Sequence, residues 1–195
     1  MKAGYFSTPF YRTLLEHYVD LNNLAKNQDY VNQLDFDSSR QKLKNLKSAQ
    51  NGNPFLSPIP QDFLDDIPKL EERIRKIKDS EEIKISTFIK DKFVSAGMED
   101  VYTGLYPTLS GESHCSLEGV TNRHFSFDQN GEFFKVSLFE NYNDDVIPFY
   151  IVTLTDQLLH SGELVAQILE SNLLSAFGNK RLEFKKKVEK HLTSA

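Results

Sequence analysis

PFYRTLLEHYVDLNNLAK, residues 9–26, decides the fold class. Thr8 is a favourable N-cap, and Pro9 suits the first helical position, where an N–H would have no partner anyway. Tyr11, Leu14, Leu15, Tyr18, Leu21 and Ala25 then recur at helical spacing, which predicts a helix from about Pro9 to Lys26. The same period continues downstream. A second helix is predicted from about Asp29 to Gln50, closed by Asn51-Gly52, with Asp35, Asp37, Ser38 and Ser39 interrupting its apolar stripe. Pro54, Pro58 and Pro60 mark an irregular connector. From Pro68 to about Ser80, Leu70, Ile74 and Ile77 share one side and charge takes the rest, as in an outer helix. Ser86 to Ala96, closed by Gly97, and Glu99 to about Leu109 read as further helices. Asp144 or Asp145 caps a long helix with Ile151, Leu154, Leu158, Val165, Leu169 and Leu173 on one stripe. Phe177-Gly178 is expected to close it, and Leu182 to Leu192 to form a final basic helix. One segment has a different period. Asn130-Gly131, between runs alternating Phe, Val and Leu, signals a hairpin of Phe125 to Asp128 with Phe133 to Phe139. The expectation is a mainly α fold: a bundle of about six to seven helices in one domain, 1–195, with one small β-hairpin inserted late, at about 125–139.

Composition narrows the class. Of 195 residues, 39% are hydrophobic and 26% charged, which suits a folded domain rather than a disordered or membrane-spanning chain. There are 15 Phe and 8 Tyr but no Trp, so Phe supplies aromatic bulk and Tyr serves where a ring needs a polar tip. The net charge of −5 argues against a protein that coats nucleic acid, whose footprint is basic. The single cysteine, Cys115, excludes an intramolecular disulfide and fits a reducing compartment. The opening MKAGYFSTPFYRTLLEH lacks the apolar stretch of a signal peptide. The longest apolar run, Val146 to Leu154, is interrupted by Pro148 and is too short to span a bilayer. A cytoplasmic protein without membrane attachment is expected.

Three clusters hold the candidate functional residues. In RTLLEH, Arg12 and Glu16 are four apart and share a helix face, either as an ion pair bracing the helix or as one wall of a polar pocket. SGESHCSLEGVTNRH, residues 110–124, gathers Ser110, His114, Glu118, Arg123 and His124. If His114 to Glu118 is helical, imidazole and carboxylate share a face, in a buried polar network or in a ligand or catalytic site. NKRLEFKKKVEKH, residues 179–191, is lysine-rich. A solvated helix face with cations toward its C-terminal end accounts for it, and phosphate or an acidic partner is the other reading.

Several familiar chemistries have no counterpart. The chain has no GxxxxGK(S/T) phosphate loop, no GxGxxG after a strand and no GxSxG elbow. Cys115 and His114 are neighbours whose side chains diverge on a helix, so they do not make a Cys–His dyad. His17, His114, Glu118 and His124 include no HxxxH or HExxH pair, so neither a metal site nor a cofactor is expected.

FYRTLLEHYVDLNNLAKNQDYVNQL, residues 10–34, and VYTGLYPTLSGESHCSLEGVTNRHF, residues 101–125, together resemble a bacterial helical family defined only as a domain of unknown function. That family's pattern carries Arg-x-x-x-Glu on a helix and a Tyr-x-x-Leu-Ser-x-x-x-His signature. By this resemblance Arg12, Glu16, Tyr106, Leu109, Ser110 and His114 occupy the signature positions, and Arg123 and His124 resemble an Arg-His pair of some members. The resemblance covers Phe10 to about Leu174. It departs from the family at the start, where members carry helical sequence before the Arg-containing helix. It implies a helical fold and a polar network but no activity. The expected binding residues are Arg12, Glu16, Tyr106, Ser110, His114, Glu118, Arg123 and His124.

The function expected is that of a bacterial accessory protein binding a partner, an unidentified protein or a second copy of itself, in a stress-response or phage-defence setting. The alternative is a metal-independent ribonuclease resembling the HEPN superfamily. Arg12-x4-His17 fits the Arg-x(4–6)-His pattern of those enzymes, and Arg with His performs acid–base chemistry on a phosphodiester. On that reading Arg12, His17 and His114 are the catalytic candidates and RNA is the partner.

Overall fold

The computed structural model describes residues 7–56, 59–80, 85–113, 125–127, 130, 134–136 and 146–192. In chain order these form α1 (Ser7–Lys26), α2 (Val31–Gln50), α3 (Gln61–Leu64), α4 (Ile67–Asp79), α5 (Ile89–Ser95), α6 (Glu99–Gly104) and α7 (Tyr106–Ser113). The strands β1 (Phe125–Phe127) and β2 (Phe134–Val136) follow, then α8 (Val146–Ile168) and α9 (Leu174–Leu192). The chain is mainly helical. It divides into two compact units, 26–91 and 1–25 with 92–195.

In the first unit, Asn27 accepts a hydrogen bond from the Asp29 N–H at 3.0 Å and starts a 3-10 turn, Gln28–Tyr30, that leads into α2. The helix expected from Asp29 thus opens with a tighter turn. Leu46 of α2 packs with Ile67 and Leu70 of α4, and Leu43, Ile59 and Leu64 close around them. Of the polar residues that interrupt the stripe of α2, Asp35, Asp37 and Ser39 have partners. Asp35 accepts from Arg73 of α4 at 2.7 Å. Buried Gln33 donates to the Ser86 carbonyl at 3.1 Å and accepts from the Ser86 N–H at 2.7 Å, so one side chain satisfies both backbone groups of Ser86. Gly52, at φ 82, ends α2 where a side chain would be strained: its N–H bonds to Ala49 O and that of Asn53 to Ser48 O.

In the second unit α1 buries Tyr11, Leu15 and Val19 completely. Phe93 of α5 and Leu109 of α7 are fully buried, and Tyr106 nearly so. Phe93, Tyr102 and Tyr106 form an aromatic cluster with centroids 5.1–5.5 Å apart. β1 and β2 pair antiparallel, Phe125 with Val136 and Phe127 with Phe134. Residues 128–129, 131–133 and 137–145 lie outside the described residues.

One expectation at the C-terminal end is corrected. Phe177-Gly178 does not close the long helix: α8 stops at Ile168, and both residues lie inside α9. The stop uses the same pattern of bonds as Gly52, with the Glu170 N–H on Gln167 O and the Ser171 N–H on Ala166 O, but a glutamate holds φ 49. Glycine serves instead for close approach. A Cβ on Gly162 would lie 2.5 Å from the Phe177 ring, and one on Gly178 would lie 3.0 Å from Glu163 Oε1. The apolar stripe of α8 is largely exposed. Ile151, Leu158, Val165 and Leu169 are 58%, 54%, 39% and 70% exposed, and Leu164 and Ala166 are the buried ones among the described side chains of the helix.

Candidate functional site

Arg12 and Glu16 lie one turn apart on α1, and the guanidinium Nε donates to Glu16 Oε1 at 2.9 Å. α7 brings Tyr106 to the same point. Its hydroxyl donates to Glu16 Oε1 at 2.8 Å and accepts from Arg12 Nη2 at 3.3 Å. The three groups therefore close a ring of hydrogen bonds, with the guanidinium carbon 5.5 Å from the Tyr106 ring centroid. Burial and then the bond to Glu16 hold the Tyr106 phenol above its usual range, so it stays a donor at neutral pH. Burial works against the charge on Arg12, but the bonds from Tyr106 and Glu16 outweigh it and keep the guanidinium protonated. The arrangement neutralises Arg12 within the protein and ties α1 to α7.

The remaining candidates are not all brought to this point. His17 is on the exposed side of α1, Leu109 is in the core, and Ser110 is half-buried on α7. His114, Glu118, Arg123 and His124 lie outside the described residues, as does Cys115. Among the described residues, no three His, Cys, Asp or Glu side chains gather as a metal site would require. Among them also, no helix is long and apolar enough to cross a membrane. A groove of about 490 Å³ lies in the unit 26–91, lined by Asp37, Arg40, Gln41, Leu43, Lys44 and Lys47, and contains none of the candidates.

A second polar cluster, missed in the sequence, joins α1, α8 and α9. Arg181 donates to both carboxylate oxygens of Asp156, at 2.8 and 3.0 Å, and to Glu163 at 3.0 Å. Its bonds hold Asp156 below the usual carboxylate range, and Asp156 in turn raises the guanidinium further. The Tyr18 hydroxyl bonds to His160 Nδ1. Burial raises the Tyr18 phenol, so it stays protonated in this bond. Burial, then Arg181, pushes His160 below its ordinary range and keeps it neutral. Nearby, Tyr11 meets Gln157 at 3.5 Å, and burial with the neighbouring Tyr150 raises its phenol to about 12. The signal available in the sequence was the spacing of Asp156, His160 and Glu163, which marks a polar helix face. Arg181 could be matched to it only with the α8–α9 turn in its true place.

Fold and site together define a mainly helical protein in which α1 is bound to its neighbours by paired polar groups on two sides. The chain matches the family of unknown function DUF5677 over residues 4–133, and it belongs to that family. The matched stretch includes Arg12, Glu16, Tyr106, Ser110 and His114. It ends short of Leu174, where the resemblance was expected to reach, so α8 and α9 lie beyond it. Neither a curated protein nor a solved structure matches the chain.

Proposed function

We propose that this is a partner-binding protein whose docking face is the exposed apolar side of α8, with Arg12, Glu16 and Tyr106 acting to fix α1 against α7. The observation that carries the reading is the stripe of Ile151, Leu158, Val165 and Leu169. Folded monomers rarely expose a contiguous apolar patch beyond a few hundred Å², and the largest patch is often the functional one. Here four large aliphatic side chains lie along one face over about 27 Å of helix, at about 1.5 Å per residue. The charged and titratable residues of α8, namely Asp156, His160 and Glu163, turn instead toward α1 and α9.

The ribonuclease alternative depends on Arg12 and His17. A cation assisting phosphodiester cleavage must be available to the negative charge that develops there. Arg12 is instead neutralised by Glu16 and held by Tyr106, which weighs against that role.

A photo-crosslinking residue in place of Leu158, with one at exposed Lys186 as control, tests the reading in cells. An adduct to a polypeptide identified by mass spectrometry at position 158 and missing at 186 is expected. The opposite result is no adduct at 158, together with RNA cleavage in the presence of chelator that is lost in Arg12→Ala and His17→Ala. That result would overturn the reading in favour of the enzyme.

A further inference from the structure

We infer that the occupant of this face is a second copy of the chain, docked antiparallel through α8; this rests on the reading of α8 as a docking face. Ile151, Leu158 and Val165 are seven residues apart, and Leu154, Ser161 and Ile168 each follow by three. This is the a/d spacing of a seam between two helices, so the complement is another helix with the same repeat. The first set is exposed and the second half-buried, so both remain accessible along the edge of the helix.

Three features select a second copy over a different helix. The first is self-complementarity. In a two-fold antiparallel pairing Ile151 of one copy meets Ile168 of the other, Leu154 meets Val165, and Leu158 meets Ser161. Each contact then occurs twice, as an isologous interface requires. The seam's one polar residue, Ser161, falls opposite Leu158, where a small side chain makes room for a large one. The second feature is charge. Helix pairs choose unlike partners through charged residues flanking the seam. Here the open flanking positions are Thr155 and Leu169, neither charged, while Gln157 meets Tyr11 of α1, Gly162 meets Phe177 of α9 and Leu164 is buried. The third is size. The exposed aliphatic side chains of the seam, with Leu169 and the adjoining Leu173 and Leu174, carry on the order of 500 Å² of apolar surface. One side of a standard interface buries about 800 Å², of which about 65% is apolar in homodimers, so the patch is of the required size. Docked this way, the α8–α9 hairpins of two copies form a four-helix arrangement.

Sedimentation equilibrium of the full chain tests the inference, with Leu158→Lys as the disrupting variant. A dimer in the wild type whose dissociation constant rises at least ~100-fold in Leu158→Lys is expected, since each dimer loses two seam leucines and places two charges in the seam. Disulfide trapping in a Cys115→Ser background fixes the orientation. Leu154→Cys mixed with Val165→Cys should cross-link between chains, and Val165→Cys alone should not. Cross-linking by Val165→Cys alone would mean parallel helices and overturn the antiparallel pairing. A wild type that stays monomeric at several hundred micromolar would overturn the dimer, and hydroxyl-radical footprinting would then separate two cases. A reactive stripe in that monomer leaves α8 open to another protein and sinks only the second copy. A protected stripe, with Leu158→Lys lowering the melting temperature of the monomer, removes the docking face altogether.

Discussion

Tyr106→Phe tests whether the Arg12–Glu16–Tyr106 ring holds the fold together. The substitution removes one oxygen and leaves the buried ring, so the stacking on Tyr102 and the contact with Phe93 persist. What is lost is the 2.8 Å bond to the Glu16 carboxylate and the longer one from Arg12. A hydrogen bond to a charged group contributes about 1.5–3 kcal/mol where the partner is otherwise left unsatisfied. Glu16 is not left so, because Arg12 still reaches it at 2.9 Å. The side chains of Arg12 and Glu16 are also 22% and 33% exposed, so water replaces part of what the hydroxyl supplied. The expected loss therefore falls below that range, at about 1 kcal/mol. Urea unfolding monitored by circular dichroism reads this as a lower midpoint at an unchanged slope. Arg12→Ala should cost a similar amount, and the double variant should cost less than the sum, with a coupling of about 0.5–1 kcal/mol. If Tyr106→Phe and Arg12→Ala both unfold within about 0.3 kcal/mol of the wild type, the ring does not stabilise the fold, and its three residues are free to be read as a binding site.

Glu170→Gly should stabilise the protein by about 0.5–1 kcal/mol, because relief of left-handed strain exceeds the added freedom of glycine in the unfolded chain; a urea midpoint that does not rise refutes it. Gly162→Ala should cost about 1–3 kcal/mol through the Phe177 ring, and Phe177→Leu should restore part of the loss. A neutral Gly162→Ala would show that α8 and α9 do not depend on this approach. The His160 imidazole is held below its ordinary value near 6.5, so the unfolded chain takes up its proton more readily than the folded one. Its contribution is therefore complete above about pH 6.5 and is lost as the pH falls from there through the lower folded value. The melting temperature should drop between pH 7.5 and 5.5, and less so in His160→Asn; an equal drop in both would refute the assignment.

The residues that announced helices did so through period and termini, and those signals are local. Pro9 and the Tyr11–Ala25 stripe placed α1, and Asn51-Gly52 and Gly97 marked true helix ends because glycine takes a left-handed backbone without strain. The same rule failed at Gly178, whose missing side chain serves the approach of α9 to Glu163, and at Glu170, which ends α8 with no glycine at all. Whether a glycine is used for its backbone or for its lack of bulk depends on a neighbour distant in sequence. The candidate site divides in the same way. Arg12 with Glu16 could be read from a spacing of four, and Tyr106 from the resemblance alone. The Asp156–Arg181–Glu163 cluster required a turn that carries no glycine or proline.

α8 shows what a hydrophobic stripe does and does not establish. A helix in a single folded chain normally turns its apolar side inward and its charges outward. In α8 the inward side holds Leu164 and Ala166, but also Asp156, His160 and Glu163, while the regular heptad side is exposed. Polar groups on an inward face are costly unless satisfied. Arg181 and Tyr18 satisfy these three, and each lies at the position that does so. That side is therefore complete within one chain. The heptad side is not: its repeat matches a facing helix, and among the described residues Ile151, Leu158 and Val165 stay exposed. Periodicity identified the stripe but not what it meets, since a repeat of seven encodes a helix to be met and not the chain that supplies it. The seam also lies beyond residues 4–133, so the match to the family does not extend to it. The family's matched residues account for the triad on α1 and α7, and the surface on α8 is the one we propose a second copy covers.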